Sequence, residues 1–107
     1  MNTHRSNELQ EQEIEALKLD VLSRMRRIEG QIRGIQRMVE GGKECEDILV
    51  QVKAAKSALQ AATKQILKRY MLRCYLKSLN GDGEGAHERD MHEMEKVIKV
   101  LMSFAEN

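Results

Sequence analysis

The chain has 107 residues, no proline or tryptophan, three aromatic residues and a formal net charge of +1 at pH 7. No run of about 18 apolar residues occurs, so we expect no membrane span. The polar, acidic N-terminus lacks the apolar stretch of a secretory signal. Two cysteines in such a chain indicate a cytoplasmic protein with free thiols. The length favours a single domain over residues 1–107, with residues 1–8 expected to be flexible.

The charge is unevenly distributed along the chain. Residues 1–22 have a balance of −3, residues 23–80 of +8 and residues 81–107 of −4. Between Ile48 and Asn80 there are seven basic residues and no acidic one. A basic middle between acidic ends is typical of a nucleic-acid-binding face, although a solvated helix surface gives the same pattern.

Three helices are predicted, over residues of about 8–40, 44–79 and 85–105, and they define an all-α fold with two long helices and a shorter third. Gly41-Gly42 should end the first helix, because glycine accepts the left-handed backbone of a helix C-cap. The glycine-rich stretch "NGDGEG" predicts the turn before the third helix. Long helices around a thin core favour an oligomer.

Apolar residues recur at the helical period in all three helices. On helix one they are Ile14, Leu17, Val21, Met25, Ile28, Ile32, Ile35 and Val39. On helix two they are Val52, Ala55, Leu59, Ala62 and Ile66, and on helix three Met91, Met94, Val97, Ile98, Leu101 and Phe104.

Cys45 and Cys74 are 29 positions apart. At about 100° per residue this is close to eight whole turns, so both thiols lie on one face of helix two, and at about 1.5 Å rise they are roughly 43 Å apart. A disulfide needs Cα atoms within about 7 Å, so a continuous helix excludes an intrachain bond. Two copies of helix two packed antiparallel and crossing near Leu59 would place Cys45 opposite the partner's Cys74, twice per dimer. The alternative is that each cysteine is a small buried hydrophobe.

The segment "SRMRRIEGQIRGIQRMVEGGKECEDILVQVKAAKSAL", followed by "LRCYLKSL", resembles the CsoR-like family of small helical bacterial repressors. The resemblance covers about residues 17–105. It implies a three-helix protomer, an antiparallel dimer that forms a four-helix bundle, and a dimer-of-dimers tetramer. It also implies binding to operator DNA, from which an inducer at the inter-subunit thiol site releases the protein.

The residue four positions before Cys74 bears on the inducer. Copper sensors of the family have a histidine there, which joins two thiolates to suit Cu(I), whereas this chain has Tyr70. Nickel and cobalt sensors use several histidines of helix two, and formaldehyde sensors use an N-terminal proline. This chain has neither feature. The remaining pattern is similar to the persulfide-sensing, CstR-like members. The three histidines of the chain are His4, His87 and His92.

The resemblance therefore implies a sensor of persulfides or polysulfides, without a resident cofactor or metal. The Cys45 thiolate would take sulfur from the inducer, and the partner's Cys74 would resolve the product into a di-, tri- or tetrasulfide. The alternative is a Cu(I)-responsive repressor that uses Cys45 and Cys74 with a substitute third ligand such as His92. Tyr70, Glu44 and Glu93 are expected near the sensing site, Glu93 as the match for an acidic residue that couples it to DNA.

The predicted DNA-binding residues lie on both long helices. Arg24 matches the family's helix-one arginine, and Lys64 matches a basic position of helix two. Other candidates follow at helical spacing on helix one: Arg26, Arg27, Gln31, Arg33 and Arg37. Such side chains would contact phosphates and groove edges. We expect no enzyme, because a thiol enzyme needs a substrate pocket with a general base and neither is evident; a plain helical scaffold is the other alternative.

Overall fold

The chain is described here by a computed structural model, which covers residues 2–80 and 86–104, with side chains for residues 7–79 and 88–104. Three helices account for nearly all of it: α1 over Asn2–Glu40, α2 over Cys45–Asn80 and α3 over Ala86–Phe104. The described ranges contain no strand. The predicted all-α fold of two long helices and a shorter third is confirmed, and the predicted turn at residues 81–85 lies outside the described residues.

The start of α1 differs from its prediction. The helix begins at Asn2, not near residue 8. The physical reason is that no proline or glycine precedes Gly30, so nothing in the backbone stops the helix from extending towards the N-terminus. The expected flexibility of residues 1–8 stays a prediction.

The end of α1 follows its prediction. Gly42 has a positive φ of 66°. The Lys43 amide donates to the Met38 carbonyl at 3.0 Å, and the Gly42 amide donates to the Val39 carbonyl at 3.2 Å. This pair of bonds is the Schellman motif, which satisfies carbonyls that the last helical turn leaves open. Four residues, 41–44, then lead into α2.

Two compact units divide the chain, Met1–Leu72 and Arg73–Asn107. In the first unit, α1 and α2 are antiparallel neighbours joined by two polar contacts. Gln65 Nε2 donates to Asp20 Oδ2 at 3.0 Å, and Lys68 Nζ lies 3.4 Å from Glu13 Oε1. The second unit contains the end of α2 and α3. The prediction of one domain over residues 1–107 stays a prediction.

The buried core is small. Among the described side chains, five hydrophobic ones are buried: Leu17, Ile28, Ala55, Ala62 and Leu76. Only part of each predicted apolar stripe is therefore covered, and on α2 the alanines are buried while Val52, Leu59 and Ile66 are 42–46% exposed. In the single chain the predicted α2 seam is thus covered at the alanines and open at these three residues, whose packing against a second copy stays a prediction.

Candidate inducer site and nucleic-acid interface

The two cysteines occupy positions near the two ends of one helix. Cys45 is the first residue of α2 and is exposed, whereas Cys74 lies towards the other end and is half-buried. Both are free thiols. Because α2 is unbroken from Cys45 to Asn80, the continuous helix on which the sequence argument depends is present.

Three large apolar residues follow the cysteine-bearing face of α2. Starting from Cys45, steps of seven residues lead to Val52, Leu59 and Ile66, and a final step of eight leads to Cys74. Steps of about two helical turns keep residues on one side of a helix. The exposed stripe of α2, defined here as Val52, Leu59 and Ile66, therefore runs between the two thiols.

The residues expected near the thiols are spread over the chain. Tyr70 is half-buried on α2, one turn before Cys74. Glu44 is exposed just before α2, where its carbonyl accepts the Ile48 amide at 3.1 Å. Glu93 is exposed on α3, in an open groove whose described lining residues all belong to that helix. The groove residues are Glu88, Arg89, His92, Glu93 and Lys96.

The chain by itself does not assemble a metal centre from the part that the structure describes. No three histidine, cysteine, aspartate or glutamate side chains are grouped there so that they could hold a metal ion. The side chains of His4 and His87 lie outside the described ones. Any metal site that uses Cys45 or Cys74 with a second thiolate therefore needs a second copy of the chain.

The predicted DNA-binding residues differ in exposure, and their contact with DNA stays a prediction. Arg24 and Gln31 are half-buried on α1. The others are exposed, on α1 and on α2: Arg26, Arg27, Arg33, Arg37 and Lys64.

Asp20 makes contacts with two polar side chains that the sequence analysis did not predict. Its Oδ2 accepts Arg24 Nε at 2.8 Å and Gln65 Nε2 at 3.0 Å. The hydrogen bond from Arg24, then that from Gln65, and then the charges of Arg24 and Arg27, lower the pKa of Asp20 below its ordinary value. Spacing of four residues on a helix would have suggested the Asp20–Arg24 pair. Nothing in one sequence suggests Gln65, which lies 45 positions away.

Comparison with known proteins assigns the family. Residues 17–103 match the model of the metal-sensitive transcriptional repressors, and the chain belongs to this family. The family is one of transcriptional regulators and not of enzymes, in agreement with the prediction. Among the described helices, none combines the length and the hydropathy of a membrane span.

Similar proteins bear the names of copper sensors. The copper-sensing transcriptional repressor CsoR of Bacillus subtilis (strain 168) is 37% identical over 83 residues, which are 77% of this chain and 82% of that protein. The copper-sensing transcriptional repressor RicR of Mycobacterium tuberculosis (strain ATCC 25618 / H37Rv) is 41% identical over 80 residues, 75% of this chain and 83% of that protein.

A similar solved structure is also named as a copper-sensing repressor. The copper-sensing repressor CsoR with Cu(I) from Geobacillus thermodenitrificans NG80-2 superimposes with a TM-score of 0.66 at 40% identity, over 78% of this chain and 83% of that one. These relatives support the family prediction. Their names favour copper over the persulfide-sensing subtype that Tyr70 suggested.

Proposed function

We propose that the chain is a transcriptional repressor that binds operator DNA as an assembly of copies and leaves the DNA when Cu(I) binds between two α2 helices. The observation that carries this proposal is the family match over residues 17–103, which includes both free cysteines, with relatives named as copper sensors. In this proposal Cu(I) is a regulatory ligand, not a cofactor.

The exposed stripe of α2 supports an antiparallel dimer. Val52, Leu59 and Ile66 are each more than two-fifths exposed in the single chain. Fully burying a side chain of this kind contributes about 1.5–3 kcal/mol, so a second copy that covers the stripe gains substantial free energy. If the partner helix runs antiparallel, covering the stripe also places Cys45 beside the partner's Cys74. Exposed residues on α1 and α3, such as Val39 and Phe104, leave further apolar surface for a dimer-of-dimers tetramer.

The thiols fit the chemistry of Cu(I). Thiolates are soft ligands that select Cu(I), and two of them neutralise its charge and add one negative charge to the site. Cys45 is exposed and Cys74 half-buried, so both are open to a metal before a partner helix covers them. Cys45 and the partner's Cys74 would hold the ion, and His92 is the candidate for a third ligand.

The basic residues of α1 and α2 support the DNA-binding part of the proposal. Each copy presents an Arg-rich stretch on α1, and Lys64 adds a positive charge from α2. Arginine and lysine contact phosphates and release counterions, so affinity for DNA should fall steeply as salt rises. A tetramer repeats this surface four times, which compensates for the small net charge of one chain.

Anaerobic titration of the reduced protein with Cu(I), read by ultraviolet absorption and by the anisotropy of a labelled DNA duplex, tests the proposal. We expect a stoichiometric copper–thiolate band and release of the duplex at the same copper equivalence. Cys45→Ser and Cys74→Ser should each bind DNA as the wild type does and remain bound when Cu(I) is added. Release that continues in both variants would contradict a role for the thiols.

Sensing of persulfides is the second candidate, and Tyr70 is the observation that favours it. A phenol is a poor ligand for Cu(I), and it stands one turn before Cys74 on α2. The Cys45 thiolate would attack the outer sulfur of an organic persulfide and expel the organic thiolate. The partner's Cys74 thiolate would then attack the Cys45 sulfur and expel hydrosulfide, which leaves a disulfide. If a polysulfide transfers two sulfur atoms to Cys45, the partner's Cys74 thiolate would attack the inner of these two atoms and expel hydrosulfide, which leaves a trisulfide.

Intact mass spectrometry of the reduced protein after polysulfide, peroxide or Cu(I) separates the two candidates. Covalent dimers whose masses are raised by whole sulfur atoms, together with release of DNA, would support persulfide sensing. Persulfide sensing would be excluded if Cu(I) binds tightly and releases the DNA, whereas protein treated with polysulfide remains bound to the duplex.

A further inference from the structure

Asp20 joins two of the elements that the proposed function assigns to DNA binding. On α1, one turn from Asp20, the Arg24 Nε donates to its Oδ2 at 2.8 Å. From α2, the Gln65 amide donates to the same oxygen at 3.0 Å. Gln65 directly follows Lys64, the predicted DNA contact of α2. The side chains of Arg24 and Asp20 are 39% and 41% exposed, so this junction remains open to a ligand.

The contact restrains Arg24 without occupying its whole guanidinium group. Asp20 accepts the hydrogen bond of Nε, and the two terminal nitrogens carry the remaining four N–H donors. Those terminal donors are the ones that form paired hydrogen bonds with a phosphate or with the guanine edge in the major groove. An arginine held at Nε loses less rotational freedom when it makes such a pair, so its contact gains in geometric specificity.

The negative charge of Asp20, in contrast, should weaken the binding of phosphates, whatever the DNA sequence. The hydrogen bonds and neighbouring arginines keep this carboxyl ionised by lowering its pKa. A carboxylate beside the DNA surface repels phosphates, and binding to DNA of any sequence depends almost entirely on phosphate contacts. The positioning of Arg24 therefore accounts for the preference for one sequence, and the repulsion lowers the background affinity for all DNA.

We propose that Asp20 is a positioning residue for DNA recognition, which orients Arg24 towards the operator while Gln65 fixes the carboxylate to α2. This inference rests on the proposed function. According to this inference, Asp20 and the register of α1 against α2 affect the ratio of the affinities for operator and other DNA more than they affect either affinity alone.

The test compares two duplexes of equal length and composition. One is selected from a random-sequence pool by the wild-type protein, and the other is its shuffled counterpart. Fluorescence anisotropy at several salt concentrations gives both affinities for the wild type, Asp20→Asn, Gln65→Ala and Arg24→Ala. Glu15→Gln is the matched control, because it removes one negative charge from an exposed position of the same helix. Thermal unfolding of each variant monitors the fold.

For Asp20→Asn we expect affinity for the selected duplex to fall about three- to tenfold, while affinity for the shuffled duplex stays the same or rises. Gln65→Ala keeps the charge and should lower only the affinity for the selected duplex, by about two- to threefold. Arg24→Ala should weaken binding to both duplexes. Glu15→Gln should leave the ratio of the two affinities unchanged.

An unchanged ratio in both Asp20→Asn and Gln65→Ala would overturn the inference and leave the proposed function intact. A parallel fall of both affinities that tracks a lower melting temperature would also overturn it, because that pattern is one of stability alone. A wild-type protein that selects no duplex would overturn the proposed function, and the inference with it.

Discussion

Two neighbouring stripes of α2 differ in what covers them. The first, Ala55 and Ala62, is 5% and 1% exposed in the single chain, and small side chains there let α1 lie close. The second, the exposed stripe of Val52, Leu59 and Ile66, is 42–46% exposed. The alanine stripe thus holds the chain's own helix pair together. The exposed stripe has the larger side chains and the greater capacity for burial, so it is suited to a second copy.

Leu59→Glu should have the largest effect, because Leu59 lies midway between the cysteines, where two antiparallel α2 helices would cross. Two like charges at the crossing cost about 3 kcal/mol, so the dissociation constant of the dimer should rise roughly a hundredfold. Analytical ultracentrifugation measures this constant. Gln60→Glu adds the same charge at the next, exposed position and should leave the assembly intact. A dimer unaffected by Leu59→Glu would show that the exposed stripe is not the interface.

Ala62→Leu should act on the other stripe. The side chain is 1% exposed, so extra methylenes must displace α1 or adopt strained rotamers, at a cost of about 1–3 kcal/mol in the free energy of unfolding. Urea denaturation gives this value. Ala54→Leu, at an exposed position of the same helix, should change stability by less than about 0.5 kcal/mol. Similar losses from both variants would mean that α1 does not depend on the alanine stripe.

Gly34 in α1 and Gly42 just after its end should respond to alanine with opposite signs. Gly42 has a φ of 66°, so Gly42→Ala should cost about 1–2 kcal/mol. Gly34 is helical, and a Cβ there would meet nothing within 4 Å, so Gly34→Ala should stabilise the single chain by up to about 1 kcal/mol.

Thermal unfolding of both glycine variants in the Leu59→Glu background separates the chain's own stability from that of an assembly. Among the described residues of one chain, no other helix lies within 4 Å of where a Cβ would stand at Gly30 or Gly34. Destabilisation by Gly34→Ala in that background would contradict the open space around it.

The smallest effect should be the pH dependence of the contacts that Asp20 makes with Arg24 and Gln65. Because the pKa of Asp20 is lowered in the folded chain, its stabilisation is present above the ordinary value of 3.8 and is lost as the pH falls through the lowered pKa. The difference in stability between wild type and Asp20→Asn should therefore shrink in acid. Urea denaturation from pH 6 down to about pH 3 measures it. A difference that stays constant over this range would mean that the charge of Asp20 contributes nothing.

Local signals explain which parts of the fold were predictable. The helical period and the absence of proline gave three helices, and Gly41-Gly42 gave the end of α1. The early start of α1 was not predicted, because a polar segment without proline or glycine contains no clear signal for where a helix begins. The Asp20–Gln65 contact was missed because it depends on the register of two helices, which a pattern on either one does not contain.

The candidate site was predictable to a different degree. The spacing of Cys45 and Cys74 placed both on one face of a continuous helix, and the structure has them on such a helix as free thiols. Their meeting across a dimer stays a prediction. The inducer was the hardest feature to predict from the sequence, because the prediction depended on a single residue, Tyr70. The similar proteins are named as copper sensors.

The Schellman motif at the end of α1 limits how far Cys45 and the Arg-rich helix can move independently. Residues 41–44 are the whole connection, and backbone hydrogen bonds from Gly42 and Lys43 already bind the first part of it to α1. Since each residue of chain spans at most about 3.6 Å, little free length remains before Cys45. A ligand that draws Cys45 towards another helix must therefore pull on the C-terminal turn of α1. The short backbone connection alone therefore couples the Cys45 thiol mechanically to the basic helix α1, and no side-chain contact is needed for this coupling.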